Sequence, residues 1–388
     1  MKILYHHRTR GRHVEGVHIR GIVQALRELG HDVAVMSFPG ADPEREEHAA
    51  TAAGRGRVAS MVTRLPGIVF EVFELLYNVV TLFRMTRAWR VARPALVYER
   101  YSLFLFATVW LARRRGIPLV LEINDSALVD RVRPLVMTRL ARRIEGWCLR
   151  HASGLVFIST YFLDTARRAY GDIAPSVVSP NAVDLPRFDP SRFDVAALRA
   201  ERGLTGRVVC GHIGAFAHWH GVDGFVEAIA GRLADVPELA LVFVGDGKTL
   251  PAVRELIAAR GLSDRVLLPG RVPHDEVAGW IACMDYAVLP NSNAYGSPMK
   301  LFEFMGMGVA VVAPDYAPVA EVIADGRTGW LFPRGDDAAC VERVLTLARL
   351  AAERQRVGSA ARAYIASERQ WRNNAEQLLT LVPAGAAA

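Results

Sequence analysis

The run Ser297-Pro298-Met299-Lys300-Leu301-Phe302-Glu303 sets a cation and a carboxylate three residues apart in what reads as the first turns of a helix. The residue types predict Ser297 as the cap and Pro298 at the first helical position. A helix N-terminus presents unpaired N–H groups and a positive dipole end, which favour a phosphate, and Lys300 adds a full charge to them. One turn on, Glu303 can accept hydrogen bonds from hydroxyls. A phosphate joined to a polyol is a sugar nucleotide. The same spacing also suits a plain surface ion pair. Lysine, however, is not background here: Lys2, Lys248 and Lys300 stand against 44 arginines.

Other stretches could serve the same chemistry. Gly214-Ala215-Phe216-Ala217-His218-Trp219-His220-Gly221 follows an apolar run. His218 and His220 have metal-ligand spacing, but no further ligands stand nearby, so no metal is expected. Gly245 and Gly247 flank Asp246 in a turn too short for the dinucleotide fingerprint. Gly270-Arg271-Val272 reads as a strand-to-helix turn or a place where a ligand meets backbone. In the first half, a loop from Arg10 to His18 with Gly11, Glu15 and Gly16 follows the first strand. Glu122-Ile123-Asn124-Asp125 follows a later one, and Arg100 ends a strand at the expected ligand-facing edge.

The elements that must position these residues alternate between strand and helix along both halves, the pattern of parallel sheets covered by helices. Expected strands are Ile3–Tyr5, Val33–Phe38, Leu96–Tyr98, Leu119–Ile123 and Leu155–Ile158, then Val208–Ile213, Leu241–Val244, Val266–Leu268, Ala287–Leu289 and Val309–Ala313. A helix from about Val17 to Leu29 ends at Gly30. With 388 residues, 51% of them hydrophobic, the chain can build two cores, and prolines and aspartates in Pro180–Pro190 mark the boundary between them. A last helix around Ser367 to Leu381 carries Trp371.

Charge is uneven. Residues 1–188 hold 27 basic and 17 acidic side chains, a net +10, and the remainder nets −3. Without a basic-aromatic nucleic-acid motif, that face suits an anionic membrane surface or an anionic substrate. Leu65 to Trp89 reads as a helix with Phe70, Phe73, Leu76, Tyr77, Val80 and Phe83 on its apolar side, either packed within its domain or dipping into a membrane beside Arg84, Arg87, Arg90 and Arg93. Glu71, Glu74, Asn78 and Arg84 argue against a span. The N-terminus lacks the pattern of a signal peptide, and Cys148, Cys210, Cys283 and Cys340 are scattered, which together suggest a reducing cytoplasm.

In order along the chain, Val97-Tyr98-Glu99-Arg100-Tyr101, Ser179-Pro180-Asn181-Ala182-Val183-Asp184, Gly211 to Gly221, Val244-Gly245-Asp246-Gly247 and Ser297 to Met305 followed by Gly308 resemble the family-4 glycosyltransferases of GT-B fold. The resemblance covers essentially the whole chain. It implies two Rossmann-like α/β domains facing across a cleft: residues 1–185 binding the acceptor, residues 186–366 binding the nucleotide sugar, and residues 367–388 forming a helix that returns to the first domain. It further implies retaining transfer of a hexose-type sugar from a UDP- or GDP-type donor to an acceptor hydroxyl, with no cofactor or metal, in assembly of a glycan, glycolipid or secondary metabolite. The site would lie in the cytoplasm, at the inner face of the membrane where the acceptor is membrane-held.

By the same resemblance, Lys300 holds the pyrophosphate together with the backbone around Ser297, Pro298 and Met299. Glu303 takes the ribose hydroxyls, Val272 the base through its backbone, and Gly214, His220 and Gly245 line the donor. Gly16 and Arg100 belong to the acceptor side. Asn124 orients a sugar hydroxyl while the donor phosphate takes the acceptor proton, and Asp125 and Glu122 are fallback bases. Two departures stand out: Tyr295 occupies the place of an earlier glutamate that touches the transferred sugar, and Ala215 and His220 fall where an arginine and a lysine usually meet the phosphates, so that Lys300 bears more of the charge and a protonated His220 would help hold it and make binding depend on pH near neutrality. A sugar-nucleotide epimerase of the same fold and a catalytically silent sugar-nucleotide binder are the alternatives. A nicotinamide dehydrogenase is disfavoured for want of GxGxxG after the first strand.

Overall fold

The computed structural model describes residues 1–9, 14–37, 66–129 and 133–383. It comprises two compact units, residues 1–180 together with the chain from Trp371 onward, and residues 181–370. Each is built on a six-stranded parallel sheet.

In the first unit the strands are β1 (Lys2–His6), β2 (Asp32–Met36), β3 (Leu96–Arg100), β4 (Leu119–Ile123), β5 (Gly154–Phe157) and β6 (Ser176–Val178), in spatial order β2-β1-β3-β4-β5-β6. The chain lays β2 on one side of β1 and then crosses to build the rest on the other, so the strand order reverses between β1 and β3. Beyond the strands' carboxyl ends such a reversal opens a crevice. The strand cores are apolar on both faces, as sheets covered by helices require: Ile3, Leu4, Tyr5, Val97, Val120, Leu121 and Phe157 are all buried. The first helix runs Val14–Glu28, so Glu15 and Gly16 lie in its opening turn rather than in a loop, and Gly16 is buried. Arg10 and Gly11 lie outside the described residues.

The C-terminal helix Trp371–Leu379 belongs to this unit. A Cβ on Gly21 would come within 2.4 Å of the Trp371 indole, so only glycine lets the two helices approach this closely. Asn374 donates to the Pro180 carbonyl at 2.8 Å, and His18 meets the Trp371 ring edge-on at 4.8 Å between centroids. The last helix, expected from about Ser367, starts only at Trp371, and Ser367 belongs to the separate helix Ala351–Glu368.

The helix Gly67–Ala92 corrects the expected packing. Phe73, Leu76, Val80 and Phe83 point to solvent, and Glu71, Asn78, Thr81, Met85 and Trp89 are the buried side.

In the second unit the strands are β7 (Val208–Ile213), β8 (Leu239–Val244), β9 (Val266–Gly270), β10 (Tyr286–Val288), β11 (Val311–Pro314) and β12 (Trp330–Phe332), ordered β12-β11-β10-β7-β8-β9. Here the reversal falls between β7 and β10. Alternation along β8 sends Val242 and Val244 into one core with Leu301, Phe302 and Phe304, and Leu241 and Phe243 into another with Phe225, Tyr286 and Trp330. Strands β6 and β12, three residues each, escaped the sequence pattern.

Candidate active site

In the second unit the loops after β7, β8, β9 and β10 gather at the carboxyl end of the sheet. Gly214 follows β7 with φ +146°, and its N–H bonds the Val244 carbonyl at 2.9 Å. Gly245 follows β8 with φ +145°, and a Cβ there would lie 1.8 Å from the Gly214 carbonyl oxygen. These two glycines let the loops close onto each other without side chains. After β9, Gly245 donates to the Gly270 carbonyl at 2.8 Å, and Val272 packs half-buried against the core that holds Phe302.

The loop after β10 leads into the helix Met299–Gly306. Its cap differs from the expectation. Pro298 occupies the cap position, and no side chain caps the helix among the described residues. Ser297 instead accepts from the Asn181 N–H at 3.0 Å through its hydroxyl, and the Asn181 side-chain amide donates to the Ser297 carbonyl at 2.6 Å. The opening N–H groups of this helix are thereby left for another partner. Glu303, nearly buried, faces His274 with its carboxylate 3.7 Å from Nε2. The plain Lys300–Glu303 ion pair does not form among the described residues.

Lys300 turns back over Gly214, and a Cβ on that glycine would sit 2.4 Å from Lys300 Nζ. Nζ is buried and has no hydrogen-bond partner among the described residues. Burial lowers its pKa from 10.5 to about 8, with Glu303 opposing the drop. His212, fully buried on β7, donates from Nδ1 to the Val288 carbonyl at 3.0 Å, because a carbonyl can only accept. Its Nε2 therefore carries a lone pair, and it also lacks a partner among the described residues. Burial, then the Lys300 charge, hold His212 well below the usual histidine range.

His220 Nδ1 is likewise buried and unpartnered, and burial and Lys300 lower its pKa to about 4. In the free protein both causes penalise the imidazolium and shift His220 away from the expected titration near neutrality. Three buried nitrogens at one sheet edge, without partners among the described residues, would cost stability unless something polar fills the space. An oxyanion would satisfy Lys300.

Sequence reasoning reached Gly214, His220, Gly245, Val272, Ser297, Pro298, Met299, Lys300 and Glu303, and the structure brings them together on this edge. It missed His212, His274 and the Ser297–Asn181 clasp. A histidine inside the otherwise apolar run of β7 was the available signal for the first.

The first unit has its own polar cluster at the carboxyl ends of its strands. Glu122, buried on β4, accepts from the Tyr98 hydroxyl at 2.7 Å, from Arg100 at 2.5 Å and from the Asn124 amide, with His18 Nε2 at 3.0 Å. Burial would raise its pKa, but His18 and Arg100 outweigh that and draw it down to about 2. So low a value makes Glu122 a poor proton acceptor. Arg100 is thus committed to Glu122. Glu99 pairs with His6 and accepts from the Thr108 hydroxyl at 2.6 Å. Asp125 accepts from the Ser126 N–H at 2.9 Å. Glu145, not foreseen, accepts from Ser126, Ala127 and Tyr170, and burial raises its pKa. Among the described residues no group of three His, Cys, Asp or Glu could hold a metal.

Comparison with known proteins follows the same division. Residues 15–182 match the glycosyl transferase 4-like domain, and residues 207–349 match the glycosyl transferases group 1 model. The chain is 29% identical over 346 residues to a 2-deoxystreptamine N-acetyl-D-glucosaminyltransferase of Streptomyces fradiae, covering 83% of this chain and 79% of that one. It is 29% identical over 244 residues to an alpha-D-kanosaminyltransferase of Streptomyces kanamyceticus, covering 61% of this chain and 63%, just under two thirds, of the relative. Anabaena HepE in complex with UDP has a similar fold, with a TM-score of 0.73 at 19% identity over 98% of this chain and 99% of the other. A glycosyltransferase of Rickettsia africae reaches a TM-score of 0.77 at 15% identity over 99% of both. The chain belongs to the family-4-type glycosyltransferases of GT-B fold.

Proposed function

We propose that the protein transfers a hexose-type sugar, with retention of anomeric configuration, from a nucleoside-diphosphate sugar to an acceptor hydroxyl. The observation that carries this reading is Lys300 Nζ, buried without a partner among the described residues, over Gly214 and beside an uncapped helix start. A diphosphate would meet that charge and those N–H groups together. Glu303 would take ribose hydroxyls, and the backbone at Val272 the base. HepE, whose fold is similar, was crystallised with UDP and with UDP-glucose, which supports a donor of this class.

In the proposed reaction the acceptor oxygen bonds to the anomeric carbon as the bond from that carbon to the donor phosphate breaks. The acceptor proton passes to the departing phosphate oxygen on the same face. The protein's part is positioning and charge stabilisation. Lys300 stabilises the charge that grows on the leaving diphosphate. Asn124, whose amide already donates to Glu122, keeps its carbonyl to orient the acceptor hydroxyl. Residues 1–185 would hold that acceptor, with Gly16, Arg100 and Asp125 shaping the site. The glycan, glycolipid or secondary-metabolite setting follows from the acceptor.

The test is product stereochemistry. Incubated with a bound nucleotide sugar and an alcohol acceptor, the enzyme should give a product whose anomeric proton coupling by NMR matches that of the donor. Inversion would overturn the retaining assignment, and release of nucleoside diphosphate with an epimerised free sugar and no transfer would point to the epimerase instead.

A further inference from the structure

The helix Gly67–Ala92 is folded with its polar residues inward, and those residues are committed. The Glu71 carboxylate accepts from the N–H groups of Val136 and Met137 at 2.7 and 2.6 Å. The Asn78 side chain accepts from the N–H groups of Phe106 and Ala107 at 3.0 and 2.9 Å and donates to the Phe104 carbonyl at 2.8 Å, which caps the helix Ala107–Arg115. These bonds fix the helix's rotation. What they turn outward is apolar: Val72, Phe73, Leu76, Val79, Val80 and Phe83 are 42–73% exposed. At the helical repeat they fall on one side, within an arc of roughly 120°.

Nine of the fourteen exposed large hydrophobic residues among the described residues lie on this one helix, a concentration that solvent alone does not explain. From Ile68 to Phe83 the stripe is about 22 Å long. It is too short and too polar to cross a membrane: no helix among the described residues is long and apolar enough for that.

Past Phe83 the same side continues as Arg87 and Arg90, both exposed. The helix Ala107–Arg115, packed on the long helix's buried side, carries exposed Arg113, Arg114 and Arg115, with Arg114 over the half-exposed Trp110 ring at 5.6 Å and Arg115 over Trp89 at 5.2 Å. Among the described residues no carboxylate pairs with these arginines. The only acids of the long helix are Glu71, which is buried, and Glu74, 3.8 Å from Arg8. A second copy of this face would therefore offer the arginines no anion, whereas anionic lipid offers phosphates beside acyl chains.

We propose that this face docks on an anionic bilayer, with the helix lying in the interface, Phe73, Leu76 and Phe83 among the acyl chains, and Arg87 and Arg90 at the lipid phosphates. The proposal rests on the surface alone and stands apart from the sugar-transfer reading.

Flotation of the full-length protein with vesicles of phosphatidylcholine, or of phosphatidylcholine with phosphatidylglycerol, tests it. Wild type should float with the anionic vesicles and hardly with the neutral ones, and 0.5 M salt should weaken binding about tenfold. F73S/F83S should lower the partition by about a hundredfold. R87E/R90E should abolish the preference for anionic lipid, and it keeps the test decisive should the first variant fold poorly by circular dichroism. Wild type that floats with neither vesicle, or arginine variants that float unchanged, would overturn the proposal. So would a dimer in sedimentation that F73S/F83S dissolves while no vesicle binds, since the face would then belong to a second copy.

Discussion

Nucleoside-diphosphate binding should weaken as pH rises through 8, and Lys300 should be the reason. In the free protein Lys300 Nζ is buried without a partner among the described residues, and burial lowers its pKa to about 8 from 10.5. A bound diphosphate favours the ammonium and restores the pKa toward or above its ordinary value. Below pH 8 the free protein already carries the proton, so affinity there is flat. Above pH 8 the free protein loses a proton that the complex keeps, so binding must take one up and affinity falls. With a free-state value of about 8 the loss is about tenfold at pH 9, and the full gap to 10.5 corresponds to about 3 kcal/mol. The diphosphate itself is fully ionised above pH 7.5 and adds nothing to the slope. Isothermal titration calorimetry between pH 7.5 and 9.5, in two buffers of different ionisation enthalpy, would read both the affinity and the proton uptake. Lys300→Met should bind weakly, with a flat profile. The same slope in Lys300→Met, or no slope in the wild type, would refute the reasoning.

Three further outcomes follow from the two polar clusters. Glu122→Gln should cost the first unit about 3–5 kcal/mol in urea unfolding at pH 7, because Arg100 loses its buried partner. Since the Glu122 pKa is depressed to about 2 from 4.5, its stabilisation is present above 4.5 and lost as pH falls toward 2, and the variant should lack that acid-dependent loss. Gly245→Ala should destabilise the second unit by about 3 kcal/mol or more, since the new Cβ would meet the Gly214 carbonyl at 1.8 Å in a backbone conformation with φ +145°. Thermal unfolding would show this, and nucleotide binding should fall with it. His220→Gln should leave the pH dependence of binding between 6 and 8 unchanged, because a group titrating at about 4 is neutral throughout that range. A profile that changed there would mean that His220 carries charge in the complex.

Much of the candidate site in the second unit was legible because its signals are local. A rare lysine in the first turn of a helix, with a glutamate three residues on, and a Gly-Asp-Gly turn directly after an apolar strand are features of spacing, and Lys300, Glu303 and Gly245 were found that way, whereas Gly214 came from the family resemblance. What escaped depends on partners distant in sequence. Ser297 has the composition of a cap, yet Asn181 claims its hydroxyl and its carbonyl, 116 residues away. His220 has an ordinary histidine's promise until burial and the Lys300 charge lower its pKa.

The long helix is the clearest case. Its apolar periodicity was visible, but which side goes inward is decided by Glu71 reaching Val136 and Met137 and by Asn78 reaching the 104–107 turn, and no pattern within the helix records those bonds. Strands β6 and β12 were missed because three residues at a sheet edge carry too little alternation to stand out.

Calorimetric binding of UDP, GDP, ADP and dTDP to the wild-type protein and to Lys300→Ala, without added metal, tests the central claim most directly. The account predicts that one nucleoside diphosphate binds selectively to the wild type and that Lys300→Ala loses that binding by orders of magnitude while keeping its fold. Equal binding of all four to both proteins, or none to either, would contradict it.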